Sequence, residues 1–349
     1  MKTTNKIDVH HHIFPGEYVD ALKEVGVEKS LGVKLPKWDA QTSLKKMKQN
    51  GIQKAMVSIT APGVYFPEAE SIDGFPEELA RIANKSIAKL IKENPDNFGG
   101  FATIPMLNQD AAMDELSYAL DELKLNGVCL FTNYNGTYLG QQDFDEFFRE
   151  LNRRKAVVFL HPTDPGEAYD PGLDMPNAFL EAPFDSTRAV ANLLHHGTMD
   201  KYPDIRYILS HGGGTIPYLA WRLASIEYMQ VGKRMPLFRV FYDYLVKKEP
   251  AKGLDHLRNM YYDTASVSGE YQVKTLQKFA GPDHIVFGSD LCINTVASIV
   301  TKNLTADGDF DEESYNKMAF GNCLDLFPSL REYFRLDKAI KKIQNEHNQ

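Results

Sequence analysis

Cysteine is scarce, with only Cys129, Cys292 and Cys323 in 349 residues. Three scattered thiols exclude a disulfide framework and a cysteine-rich zinc site, and each reads as a small buried residue. No apolar run reaches the roughly 20 residues that span a bilayer. The N-terminus, MKTTNKIDVHHH, lacks the apolar stretch of a signal peptide, so a cytoplasmic location is expected. Basic residues are outnumbered, 39 Lys and Arg against 47 Asp and Glu, for a net charge of −8. That balance speaks against a nucleic-acid partner and against a polybasic membrane anchor. There is no G-x-S-x-G elbow, and no cysteine sits in a nucleophile context, so covalent nucleophilic catalysis has no support.

What is present is a regular alternation of short apolar runs with longer amphipathic ones. The strand-like runs are KIDVHHH (6–12), QKAMVSIT (53–60), NFGGFATI (97–104), GVCLF (127–131), AVVFLH (156–161), IRYILSH (205–211), NMYYDTA (259–265) and HIVFGSD (284–290). Most are Val-, Ile-, Leu- and Phe-rich without alternation, as parallel strands covered on both faces should be. Helical patterns lie between them at 43–51, 77–95, 111–127 and 144–155, with Gly51 and Gly127 placed as C-caps. Eight such alternations without a domain-sized linker predict a single-domain (β/α)8 TIM barrel over 1–335, followed by a polar tail at 336–349 that reads as a terminal helix. Two long segments, 61–76 and 162–185, follow the second and fifth strands. Loops on that side of a barrel build the active site, and their Tyr, Phe and Met content reads as substrate-covering lids.

Three consecutive histidines, His10 to His12, resemble a purification tag only superficially, because they are embedded in a strand and followed by Ile-Phe-Pro. Alternation along a strand sends His10 and His12 to one side and His11 to the other. Two imidazoles one strand repeat apart can share a metal ion. His161 and His211 end two further strands, and the last strand ends in Gly288-Ser289-Asp290. In a parallel barrel these ends converge on one rim. Imidazoles and a carboxylate gathered there form a nitrogen and oxygen donor set suited to one divalent ion, Zn²⁺ first and Mn²⁺ second. His211 heads Ser-His-Gly-Gly-Gly, which lacks the lysine and the spacing of a phosphate loop. It reads as an acid/base or oxygen-polarising group beside the metal.

Together IDVHHHIFP (7–15), the His-Pro at 161–162, SHGGGTIPYLAWR (210–222) and IVFGSD (285–290) resemble the amidohydrolase superfamily. More narrowly, they are similar to its aminocarboxymuconate-semialdehyde decarboxylase-like branch. The resemblance implies metal ligation by His10, His12, His161 and Asp290, with His211 and Asp290 in catalysis. It implies that Arg222 reaches a neighbouring subunit's active site in a homodimer to bind a substrate carboxylate, and that Phe179 is a lid aromatic packing on the substrate. The fourth strand offers no lysine to bridge two metals, so a mononuclear site is expected. Ser43 stands where an arginine binds substrate in the semialdehyde decarboxylase, and Leu291, Cys292 and Ile293 replace aromatic and proline residues. The implied activity is metal-dependent, non-oxidative decarboxylation of an aromatic or unsaturated carboxylic acid, hydroxybenzoate- or methylsalicylate-like. A mononuclear hydrolase or hydratase is the alternative.

Overall fold

The computed structural model describes residues 5–69, 72–165, 171–228, 251–294, 296–306 and 310–331. Eight parallel strands stand in chain order around one sheet. They are β1 (Lys6–His12), β2 (Ile52–Ser58), β3 (Phe98–Thr103), β4 (Gly127–Phe131), β5 (Val157–His161), β6 (Arg206–Leu209), β7 (Tyr261–Asp263) and β8 (Ile285–Val286). The sheet closes on itself, because the Val9 amide donates to the Phe287 carbonyl at 2.9 Å and the Asp290 amide to that of His10 at 2.8 Å. Helices α1 (Ala40–Gln49), α2 (Phe75–Glu93), α3 (Gln109–Ser117), α4 (Asp145–Arg154), α5 (Glu181–His195), α6 (Ile216–Ala224), α7 (Glu270–Ala280) and α8 (Ala297–Ala306) each follow one strand. The expected TIM barrel is thus the observed fold. The polar tail and residues 166–170 of the long fifth loop lie outside the described residues.

Local chemistry explains the helix ends. The Asp39 carboxylate accepts the Thr42 amide and starts α1, and the Asn108 side chain accepts the Ala111 amide and starts α3. In α4 the acidic Asp145 and Glu146 open the helix and Arg153 and Arg154 close it, complementing the backbone dipole. Gly51 has φ +67, as a residue just past a helix end should. Gly127 is different. It is the first residue of β4, and a Cβ there would sit 2.4 Å from the Val157 carbonyl oxygen. Close strand approach, not helix capping, is what requires glycine at that position.

Burial divides the core into two shells. One shell packs the outer faces of the strands against the helices. The other fills the barrel interior with residues such as Ile7, Val9, Phe101, Val157 and Phe159, and includes Phe327 from the chain beyond β8. Alternation holds along β5, where Val157, Phe159 and His161 face the same way. It fails along β1. Asp8 pairs with Ala55 but His11 pairs with Val57, so β1 carries one extra residue at this point. The bulge re-phases the strand. Ile7 and Val9 fill the barrel, and yet His10 and His12, of opposite parity, also meet His161.

Phe327 is 3 % exposed and stands 5.9 Å from the Phe101 ring inside the barrel. Phe327→Ala is expected to lower the unfolding free energy by about 3–5 kcal/mol. Urea denaturation checks this; a change within 0.5 kcal/mol (roughly the effect of a surface substitution) would deny the residue its packing role.

Candidate metal centre and active site

Four strand ends deliver the sequence-predicted ligands to one place. His10 Nε2 lies 2.9 Å from His12 Nε2 and 3.2 Å from Asp290 Oδ1, while His12 Nε2 lies 3.4 Å from the same carboxylate oxygen. Donor atoms of His10, His12 and His161 lie within 4.8 Å of one another, and so do those of His10, His211 and Asp290. All five side chains predicted for metal and proton chemistry therefore share one cluster. Nitrogen donors at these separations fit around an ion with bonds of about 2.0–2.1 Å.

The remaining ring nitrogens set which atoms are free to bind. His10 Nδ1 is 2.6 Å from Asp263 Oδ2, and His161 Nδ1 is 2.8 Å from the Pro162 carbonyl. Both partners are acceptors, so each Nδ1 carries the proton and each Nε2 lone pair faces the cluster in the neutral ring. His12 Nδ1 has the Ser58 hydroxyl at 3.3 Å. Residues with this inward set of lone pairs fit a divalent cation.

Electrostatics follow from burial and mutual proximity. Burial pulls His12 down to about 4, and holds His161 well below the usual histidine range with help from the neighbouring His12 and His10 rings. Both are neutral donors at physiological pH. Burial opposes ionisation of Asp290, yet His10 beside it keeps the carboxyl well below its ordinary value. Burial likewise disfavours a charge on His10, but Asp263 and Asp290 outweigh it and push the ring up to about 10. The cluster thus calls for one added positive charge, whether a proton on His10 or a cation in its place. Burial lowers His211, whose Nδ1 is buried without a hydrogen-bond partner.

Asp263 was not among the residues singled out from sequence. It ends β7 within NMYYDTA, in the same strand-end position that marked His161 and Asp290, and that was the available signal. Gly288 makes room for it: a Cβ there would lie 2.9 Å from the Cβ atoms of both Asp263 and His10. Another buried carboxylate, Asp8, takes the Ser289 amide at 2.9 Å and its hydroxyl at 2.5 Å, tying β1 to the chain after β8. His11, pointing away from the cluster as alternation predicts, bridges Asp8 to the Ser43 hydroxyl, which also accepts the Trp38 indole N–H. Ser43 therefore belongs to a strut behind the site.

His161, His211 and Asp290 open into a cavity of about 740 Å³. Its walls are largely apolar, and among the described residues no lysine or arginine lines it. Phe179, on the long fifth loop, lines the cavity but is 75 % exposed, so its ring is free to meet a ligand at the mouth. Arg222 is not in the lining of its own chain. It lies exposed on α6 beside Trp221, 59 % exposed, and one turn from Tyr218, 89 % exposed. His211 and Asp290 both have positive φ, +53° and +63°, a conformation uncommon for non-glycine residues.

Asp263→Asn keeps the shape of the side chain but removes the carboxylate behind His10. Affinity for divalent metal is expected to fall about 10–100-fold, read by competition with a chromogenic chelator. Unchanged affinity would show that His10 needs no carboxylate support.

The chain is similar to a decarboxylase, macB, of Penicillium terrestre, at 35% identity over 94% of this chain and 96% of that one. It is similar to a 6-methylsalicylic acid decarboxylase of Penicillium expansum at 34% identity, over 96% of this chain and 99% of that one. A solved dihydroxybenzoic acid decarboxylase of Polaromonas, with bound manganese and the inhibitor 2-nitroresorcinol, superposes with a TM-score of 0.75 at 23% identity. That likeness covers 95% of this chain and 98% of the other, and it concerns the fold. The family description "Amidohydrolase" matches residues 7–328, and the chain belongs to that family.

Proposed function

We propose that the protein is a metal-dependent, non-oxidative decarboxylase of a hydroxylated aromatic carboxylic acid. The observation that carries this reading is the cavity: a His and Asp cluster able to hold a cation at one end, and largely apolar walls that, among the described residues, carry no lysine or arginine. An anionic ring acid finds its countercharge at one end and apolar contacts along most of the walls. The names of the relatives, decarboxylase and 6-methylsalicylic acid decarboxylase, support the same reaction class. They weigh against the hydrolase alternative, which the same ligand set would also serve.

When bound, a divalent ion supplies the charge that anchors the substrate carboxylate and an adjacent oxygen. His10, His12, His161 and Asp290 would hold that ion, and zinc and manganese both suit the donor set. Manganese, bound in the Polaromonas structure, is the first ion to test. Asp290, ionised, accepts the proton of the ring hydroxyl beside the carboxylate and passes it to the carbon bearing that carboxylate. The carbon–carboxylate bond then breaks, its electron pair returns to the ring, and CO₂ leaves. Solvent restores the proton to the ring oxygen. His211, neutral and beside His10 and Asp290, polarises or hydrogen-bonds the substrate at the same end.

Arg222 and the exposed Tyr218 and Trp221 form the face on which a second copy docks, carrying Arg222 to the partner's cavity. The missing basic group in the described lining and the exposed arginine are complementary.

Protein stripped and reloaded with manganese or zinc is expected to release CO₂ and a phenol in equal amounts from ortho-hydroxybenzoates, and no acid from lactones or esters. Acid release alone would sink the decarboxylase reading. Arg222→Ala is expected to cut turnover about 10²-fold without loss of metal, by analogy with removal of one charged transition-state contact. Mixing it with Asp290→Asn protein should restore part of the activity; no complementation would place the arginine outside the neighbouring site.

A further inference from the structure

Asp290 has two carboxylate oxygens, and their surroundings differ. Oδ1 faces the cluster, 3.2 Å from His10 Nε2 and 3.4 Å from His12 Nε2. Oδ2 turns the other way and accepts a hydrogen bond from the Asn294 side-chain amide at 3.2 Å. Asn294 stands four residues past Asp290 and lines the same cavity, so Oδ2 lies on the cavity side of the carboxylate.

The Asn294 side chain is pinned in one orientation. Its Nδ2 also donates to the Ser266 hydroxyl at 3.0 Å, and its Oδ1 accepts the Val296 amide at 2.9 Å. Exchanging nitrogen for oxygen would set an N–H against the Val296 N–H and an oxygen against the Asp290 carboxylate. Two hydrogen bonds would become two repulsive contacts. The backbone secures the same turn, because the Asn294 amide N–H donates to the Asp290 carbonyl at 3.1 Å. Ser266 follows β7, so Asn294 also joins the chain beyond β7 to the chain beyond β8. A carboxylate oxygen has two lone pairs. Asn294 occupies one on Oδ2 and leaves the other for a ligand.

Resting on the decarboxylase reading, we infer that Asn294 is a positioning residue that gives the two Asp290 oxygens separate tasks, Oδ1 for the metal and Oδ2 for the substrate proton. The last torsion of an aspartate is soft, so an untethered carboxylate could turn either oxygen, or both, towards a cation. Tethered, Oδ2 takes the proton of the ring hydroxyl and gives it to the carbon that bears the substrate carboxylate. The carbon–carboxylate bond then breaks, its electron pair returns to the ring, CO₂ leaves, and solvent restores the proton to the ring oxygen. Asn294 acts through Asp290 and exchanges no proton itself.

The test sets Asn294→Ala and Asn294→Ser beside wild type, each loaded with manganese. Serine keeps a hydroxyl able to accept the Val296 amide, so it preserves the turn while withdrawing the N–H from Asp290. In both variants kcat on 6-methylsalicylate is expected to fall about 10- to 100-fold, the effect of a misplaced reacting group, with KM close to wild type. Manganese affinity, read by competition with a chromogenic chelator, should stay close to wild type because Oδ1 remains. A crystal structure of manganese-loaded wild type should show Asp290 bound through Oδ1 alone, with Oδ2 on Asn294. Any of three results would overturn the assignment: wild-type kcat in either variant, a loss of manganese affinity as large as the loss of kcat, or both oxygens on manganese in wild type. If wild type releases CO₂ from neither this acid nor other ortho-hydroxybenzoates, the decarboxylase reading falls. The manganese-loaded structure then still decides whether Asn294 holds Oδ2 off the metal.

Discussion

The hydrogen bond between His10 and Asp263, 2.6 Å long and joining residues 253 apart, is the constraint on which the centre depends. It spans from the first barrel strand to the seventh. It fixes the Nδ1 proton of His10 and leaves Nε2 facing His12 and Asp290. Because both partners are fully buried, no water competes for either atom. The same pair dictates glycine at 288, since the last strand must pass within contact distance of both side chains. Barrel closure and ligand geometry are thereby one problem with one solution.

Much of this was legible in the sequence, and the reasons differ by residue. His161 and Asp290 could be assigned because each ends its own apolar run, and a parallel barrel gathers such ends without further information. All eight runs became strands, two with unchanged bounds and six shorter, for the same reason. Asp263 carries an equally local signal but acquires its meaning only from the register that sets it against His10. The extra residue in β1 was invisible too. Simple alternation correctly grouped His10 with His12, yet it would have turned them away from the interior that Ile7 and Val9 occupy. Gly127 was misread as a helix cap because a glycine before a strand looks the same whether torsion or contact requires it; the Val157 carbonyl decides. Phe179 lies where a lid aromatic was expected, lining the cavity mouth.

Charge is distributed with similar economy. The protein is acidic overall, and the described lining of its cavity offers no lysine or arginine. An anionic ligand would be repelled by such a molecule unless attraction is concentrated at one spot. The histidine cluster is that spot, because buried imidazoles kept neutral by desolvation provide lone pairs without providing charge. The cation they would hold then acts in a medium of low polarity, where its pull on a carboxylate is strengthened. Apolar walls serve the electrostatics as much as they serve the ring.

Backbone conformation carries the last part of the design. His211 and Asp290, the two residues proposed above to act on the substrate, both adopt left-handed torsions that L-residues rarely take. Each is fastened on several sides. The Asp290 amide bonds the His10 carbonyl, its own carbonyl accepts the Asn294 amide, and Asn294 returns a side-chain bond to its Oδ2. After His211, three glycines with positive φ let the chain turn into α6, and Gly214 passes so near the Pro183 carbonyl that no side chain would fit. Relaxing either residue toward ordinary torsions would break contacts made by its neighbours, so the surrounding fold sustains the strain. The two side chains are consequently held beside the cluster by folding itself.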